Sequence, residues 1–274
     1  MNLQTMTGQE LMENGYTLQS PAQRERYEDY NKVKKGNEQF VMVKDNFTEV
    51  KAHLSLEQSG VLSFLLVYAK LNEEGQLFIE KNRKLEKMTV SDVAEVIGKT
   101  PKQTKRILDE LEKLNLIERT KEGRNVFVSL SEQFFNCGAV KDSEKFARVY
   151  KTRLAELAKQ VSLNELGLFM KVISHMHYKY YVLCDNPNEM DSSQVTIWQR
   201  KEIMTELNLS ADFVRKTIAK LIKIRAIAEV KYGRLAGFIL SPSLVSKELK
   251  RPSLDEIADF IEGEGVFSSA NFNK

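Results

Sequence analysis

The chain has 274 residues, 42% of them hydrophobic, with 41 Lys and Arg set against 38 Asp and Glu for a net charge of +3. This length suffices for two domains with cores of their own, and no apolar run reaches the roughly 18 residues of a membrane-spanning helix. So small a net charge does not by itself point to a nucleic acid. An N-terminus without a basic flank or apolar run predicts no signal peptide. Cys137 and Cys184 stand 47 residues apart and read as free thiols of a reducing cytoplasm.

Charge is unevenly spread. Counting Lys and Arg against Asp and Glu, residues 1–50 carry −2 and 251–274 carry −3, whereas 141–161 carry +3 and 162–250 carry +4. Residues 1–39 are polar and without sustained periodicity, which predicts a flexible segment. A strand is expected over 40–43. From 55 to 71, Leu56, Val61, Leu62, Leu65, Leu66 and Ala69 fall on helical spacing. A short strand is expected over 76–80.

The next stretch is the most informative. Thr89 caps a predicted helix over 90–97, and Gly98 ends it. Thr100-Pro101-Lys102-Gln103 opens a second helix with an N-cap, a proline at the first helical position and a capping-box partner. Leu108, Leu111 and Leu114 are its expected core residues. Residues 116–119 and 125–130 alternate as a hairpin with its tip at Lys121-Glu122-Gly123-Arg124. Helix, short helix, tight turn, helix and hairpin is the order of a winged helix-turn-helix.

The pattern recurs. A shift of 107 pairs Ser55, Leu56 and Gly60 with Ser162, Leu163 and Gly167. A shift of 110 pairs Thr100 with Ser210, Leu108 with Ile218, Leu111 with Leu221, and Gly123-Arg124 with Gly233-Arg234. The fold class expected is therefore α+β, mostly helical with small β wings, built as tandem winged-helix modules. Module one spans 40–140 and module two spans 162–250. Between them 141–161 is a basic linker helix with Phe146, Val149, Leu154, Leu157 and Val161 on one stripe. Residues 251–274 form an acidic tail with a short helix over 254–261 and a mobile, protease-sensitive end after about residue 262.

A recognition helix enters the major groove by its N-terminal end, while flanking groups and wing meet phosphates. In module one this singles out Lys102, Gln103 and Arg106 for base edges, because Arg suits guanine and Gln suits adenine. Lys99, Thr100 and Lys105, with Lys121 and Arg124 of the wing, are placed for the backbone. Module two offers Ser210, Arg215, Lys216 and Lys220, with Lys223 further along the helix and Lys231 and Arg234 in the wing. Asp212 at its helix start suits the helix dipole but repels phosphate. The partner expected is double-stranded DNA, bound by a homodimer, with replication or transcription proteins as further partners.

Enzyme chemistry finds no support. Gly98-Lys99-Thr100 resembles the end of a phosphate-binding loop, but Val93 stands where the loop needs its first glycine. His175 and His177 are two apart and would face different sides of a helix, so no shared metal is expected. No cofactor is expected. Trp198 and the tyrosines Tyr178, Tyr180 and Tyr181 are read as core.

The segment Met88-Thr89-Val90-Ser91-Asp92-Val93-Ala94-Glu95-Val96-Ile97-Gly98-Lys99-Thr100 resembles the helix-turn-helix of winged-helix replication proteins of Firmicute plasmids and phages, the RepL type. Phe238-Ile239-Leu240-Ser241-Pro242-Ser243 resembles that family's last strand and following turn. The likeness extends to MarR-like regulators, and the duplication is similar to that of plasmid initiators with two winged-helix domains. It implies a sequence-specific DNA-binding control protein, of replication-initiator or repressor type.

Overall fold

A computed structural model describes residues 39–138, 145–248 and 251–272. Apart from Gln39, the polar N-terminal segment expected to be flexible lies outside them. The fold is mixed α+β with small antiparallel sheets. Among the described residues no helix is long and apolar enough to cross a membrane.

In chain order the first half consists of β1 (Phe40–Lys44), α1 (Phe47–Lys51), α2 (Leu56–Leu66), β2 (Phe78–Lys81), β3 (Lys84–Lys87), α3 (Val90–Ile97), α4 (Pro101–Lys113), β4 (Ile117–Glu122), β5 (Asn125–Leu130) and β6 (Phe135–Asn136). The second half repeats this order without the β2–β3 hairpin. It has β7 (Phe146–Tyr150), α5 (Lys151–Ala158), α6 (Leu163–Ile173), α7 (Arg200–Glu206), α8 (Ala211–Lys223), β8 (Ile227–Tyr232), β9 (Leu235–Leu240) and β10 (Val245–Ser246). Two further helices, α9 (Leu254–Gly263) and α10 (Ser269–Phe272), follow.

Local chemistry sets the helix ends. Ser55 and Ser162 open α2 and α6 with the same capping box, closed by Gln58 and Glu165. Thr89 with Asp92 and Thr100 with Gln103 do the same for α3 and α4. Gly98 has φ +65, so the left-handed turn between α3 and α4 sits on the residue that reaches it at least cost. Along α4, Thr104, Ile107, Leu108 and Leu111 are buried, and along α8 Val214, Thr217, Ile218 and Leu221. Leu114 is only half-buried, since α4 ends there.

Five residues of the predicted linker helix form a strand. Residues 146–150 form β7, and only 151–158 are helical. Ala147 and Val149 are buried while Phe146 and Arg148 are half-buried, the alternation of a strand with one face on the core. The five-residue alternation was masked by a helical stripe through the same apolar residues. The strand expected over 76–80 runs instead from Phe78 to Lys81 and pairs with a second strand, β3, in a complete hairpin.

β7 makes the two halves one body. The four-stranded sheet runs β10-β7-β1-β6, with β1 and β7 antiparallel from Phe40↔Tyr150 to Lys44↔Phe146. Outside this pair, Val43 faces Phe135 and Val149 faces Val245, the same step in each half. Helices α2 and α6 cross in the same reciprocal way. A Cβ on Gly60 would lie 1.9 Å from the Leu163 carbonyl oxygen, and one on Gly167 would lie 1.9 Å from that of Leu56. Residue i of one element meeting j of the other, and j meeting i, is the signature of a two-fold contact. Here it occurs inside one chain. The glycines are needed because the helix backbones come too close for any side chain.

The end of the chain is packed. Val266, Asn271 and Phe272 are buried. The Asn271 amide donates to the carbonyls of Ser192 (2.9 Å) and Val195 (2.7 Å), and Ile197 N–H donates to the Asn271 carbonyl (2.8 Å). This corrects the expected mobility after residue 262. Three apolar and amide side chains spread over a polar tail leave no periodic signal, yet they close over the second half.

Candidate nucleic-acid interface

The residues singled out on α4 and α8 divide by what already holds them. Lys102, Lys105 and Arg106 are exposed on the face of α4 opposite Ile107, Leu108 and Leu111. No ion pair among the described residues engages any of the three. Three cations thus project from the first two turns of a helix whose other side is core.

Gln103 is differently placed. Its side-chain oxygen accepts from the Thr100 N–H (3.2 Å) and the Thr100 hydroxyl (3.1 Å), completing the cap. A two-point adenine contact would require this box to open. Thr100 spends its hydroxyl on the same cap, accepting from Gln103 N–H at 3.3 Å. Lys99 is half-buried with its ammonium 2.6 Å from Glu57. It ties the turn to α2.

On α8 the cations are engaged by carboxylates. Arg215 and Lys216 lie 2.8 and 2.6 Å from the two oxygens of Asp212. The hydrogen bonds from Lys216 and Arg215 hold the Asp212 carboxyl below the usual carboxylate range. Lys220 is 2.6 Å from Glu165, bracing α8 against α6 as Lys99 braces the other turn against α2. Ser210 caps α8, its hydroxyl accepting from Phe213 N–H at 3.4 Å. Lys223 is exposed.

Both hairpins close on two residues, Gly123-Arg124 between β4 and β5 and Gly233-Arg234 between β8 and β9. Lys121, Arg124 and Arg234 are exposed at these tips. Lys231 is 3.6 Å from Glu229, which also holds Arg200 at 2.7 Å. Arg119, which the sequence pattern did not single out, locks β4 to α4 through Asp109 (2.7 Å) and Glu112 (2.5 Å). It fixes the hairpin against the helix.

The remaining chemistry-bearing residues are structural. Cys137 and Cys184 are free and buried, and burial pushes the Cys184 thiol up to about 12. His175 stacks on Trp198 with ring centroids 3.8 Å apart. Burial drives its imidazole down to about 3 and that of His177 down to about 4, so both are neutral. His177 is bonded to the Glu189 carbonyl at 2.8 Å. Among the described residues no group of His, Cys, Asp and Glu is arranged to hold a metal ion. Trp198, Tyr180 and Tyr181 are fully buried, and Trp198 donates to Asp185 at 2.6 Å. No family model, curated protein or solved structure matches the chain.

Proposed function

We propose that this chain binds double-stranded DNA through two winged-helix modules paired within one polypeptide, with α4 and α8 as recognition helices and the hairpins β4–β5 and β8–β9 as wings. The observation that carries the reading is the start of α4, where Lys102, Lys105 and Arg106 face outward, together with a hairpin tip bearing exposed Lys121 and Arg124. Cations that no carboxylate neutralises are what a phosphate-lined groove rewards. Arg106 is the candidate for a two-point guanine contact, and its neighbours meet the backbone.

The homodimer expected from sequence brings two recognition helices to one site. The reciprocal contacts of β1 with β7 and of α2 with α6 support a simpler arrangement, in which a single chain supplies both. Its site then consists of two unlike half-sites, because Lys102, Gln103 and Arg106 stand where α8 has Asp212, Phe213 and Lys216. The likeness to plasmid and phage replication proteins favours an initiator over a repressor.

DNA fragments selected by the purified chain give the site, and binding to it is then measured from about 50 to 200 mM salt. A steep loss of affinity, with one chain per site, is expected. Affinity flat in salt would overturn the reading and favour a protein-docking role. Repeated sites at a replication origin, rather than one site across a promoter, would sustain the initiator assignment.

A further inference from the structure

We propose that the β2–β3 hairpin of the first half is an additional arm that grips the DNA backbone just outside the half-site read by α4; this rests on the duplex-binding reading above. The hairpin grows from the root of the first wing. Leu77 N–H donates to the Val128 carbonyl (3.3 Å), Val128 N–H to that of Met88 (3.1 Å), and Met88 N–H to that of Leu77 (2.8 Å). Two cations then fix its direction. Lys87 reaches Glu122 beside the wing tip at 3.1 Å, with its ammonium over the Phe127 ring, and Lys81 is 2.5 Å from Asp92 at the start of α3. The hairpin is thus tied to the wing on one side and to the helix before α4 on the other.

What it presents outward is charge. All four residues of β3 are exposed, including Leu85 at 54%. A two-stranded hairpin that buries so little contributes little to its own stability. The turn at its end is Asn82-Arg83, with φ of 50° and 62°. In such turns the second position favours glycine, and any other residue costs conformational strain there. The chain nevertheless keeps a guanidinium at this point, followed by the exposed Lys84. No ion pair among the described residues engages Arg83 or Lys84.

The second half supplies the contrast. Between α6 and α7, residues 185–197 contain Asp185, Glu189 and Asp191 and neither Lys nor Arg. That stretch is held down by the Ser192 hydroxyl on the Glu264 carbonyl (3.1 Å) and by Asn271. An acidic, tethered loop would be repelled by phosphate, whereas a basic, projecting hairpin is attracted. The same position in the duplicated scaffold therefore extends the DNA contact on one side only.

The test compares the full chain with Arg83→Ala/Lys84→Ala and with Glu80→Gln, on the selected duplex, by salt titration and hydroxyl-radical footprinting. Each phosphate contact contributes roughly 0.9 to the logarithmic salt slope. The double variant should lose about 1.8 from the slope and bind several-fold more weakly at about 100 mM salt. Protection should shorten only beyond the half-site read by α4. Glu80→Gln, which removes an exposed carboxylate from the hairpin, should steepen the slope. An unchanged slope and footprint in the double variant, with salt-dependent binding by the unaltered chain, overturns the arm alone. Absence of salt-dependent binding by the unaltered chain overturns the duplex reading and the arm with it.

Discussion

The two halves of this protein share a scaffold and differ in what they do with their charges. In the first half the leading cations of α4 are exposed and engaged by no ion pair among the described residues, and a basic hairpin stands beside β4–β5. In the second, Asp212 collects Arg215 and Lys216, Glu165 holds Lys220, and the loop that replaces the hairpin is acidic. Surface ion pairs of this kind contribute little to stability, typically about 0–1 kcal/mol. Their effect is on electrostatics, since they lower the field that the second half offers to a phosphate backbone. The packing, which depends on backbone approach and apolar contact, is alike in the two halves, while the outward charges differ.

The largest effect is expected where the halves are most alike. Gly60→Ala and Gly167→Ala each drive a methyl into a backbone carbonyl, which cannot move aside as a side chain can. Each should cost about 3 kcal/mol, read as a lower urea midpoint, and by nearly the same amount because the contacts are reciprocal. Gly263→Ala meets nothing within 4 Å and should stay within about 0.5 kcal/mol of the parent. Unequal costs at Gly60 and Gly167 would break the two-fold description.

Helices α4 and α8 should then separate the halves. Arg106→Ala is expected to lose about 1–3 kcal/mol of binding to the selected site and to relax choice at one base pair. Lys216→Ala should cost less than about 1 kcal/mol, because Asp212 already engages that ammonium. Asp212→Asn should tighten binding and steepen its salt dependence by releasing Arg215 and Lys216. If the two helices respond equally, their charge difference carries no functional weight.

The chain end should matter to stability in the second half alone. Asn271→Ala takes the side-chain donor from the Val195 carbonyl and leaves the Ser192 carbonyl only the long bond from the Val195 N–H (3.4 Å), at about 1–2 kcal/mol. It should also turn the tail after residue 262 into an early protease site, whereas the parent chain should resist cleavage there. Early cleavage of the parent at that point would contradict the packing of Asn271.

The seam adds an effect that is read as a slope with pH. Lys51 in the first half donates to the Lys171 carbonyl and the Ser174 hydroxyl in the second, and Lys171 donates back to the Lys51 carbonyl at 2.9 Å. Burial, aided by Lys171 and Lys247 nearby and opposed by Glu206, pulls the Lys51 ammonium down to about 7. Between that pH and about 10 the unfolded chain holds a proton that the folded chain has shed. Stability should therefore rise with pH across this window and level off below it. Lys51→Met should flatten the rise, measured as urea midpoints at pH 7 and 9. Some slope should persist, since burial also lowers Lys171 and Lys247.

Much of this organisation is legible in the residues themselves. Caps such as Thr89, Thr100 and Ser162 act within one turn of chain, and the stripe of Leu108 and Leu111 follows from helical period alone, so local chemistry settles both. The recurrence of Gly60 and Leu56 as Gly167 and Leu163 is likewise readable by offset, although nothing in it tells that the two pairs touch. Tertiary structure decided the rest. Residues 146–150 carry apolar spacing that suits a helix, and they become a strand because β1 and β10 offer their backbone groups partners on both sides. Lys99 and Lys220 have the right chemistry for DNA in sequence, but Glu57 and Glu165 reach them first in space. A sequence states which side chains can bind. Only the fold determines which of them are still unoccupied, because the competing partner is set by distances that run across the chain rather than along it.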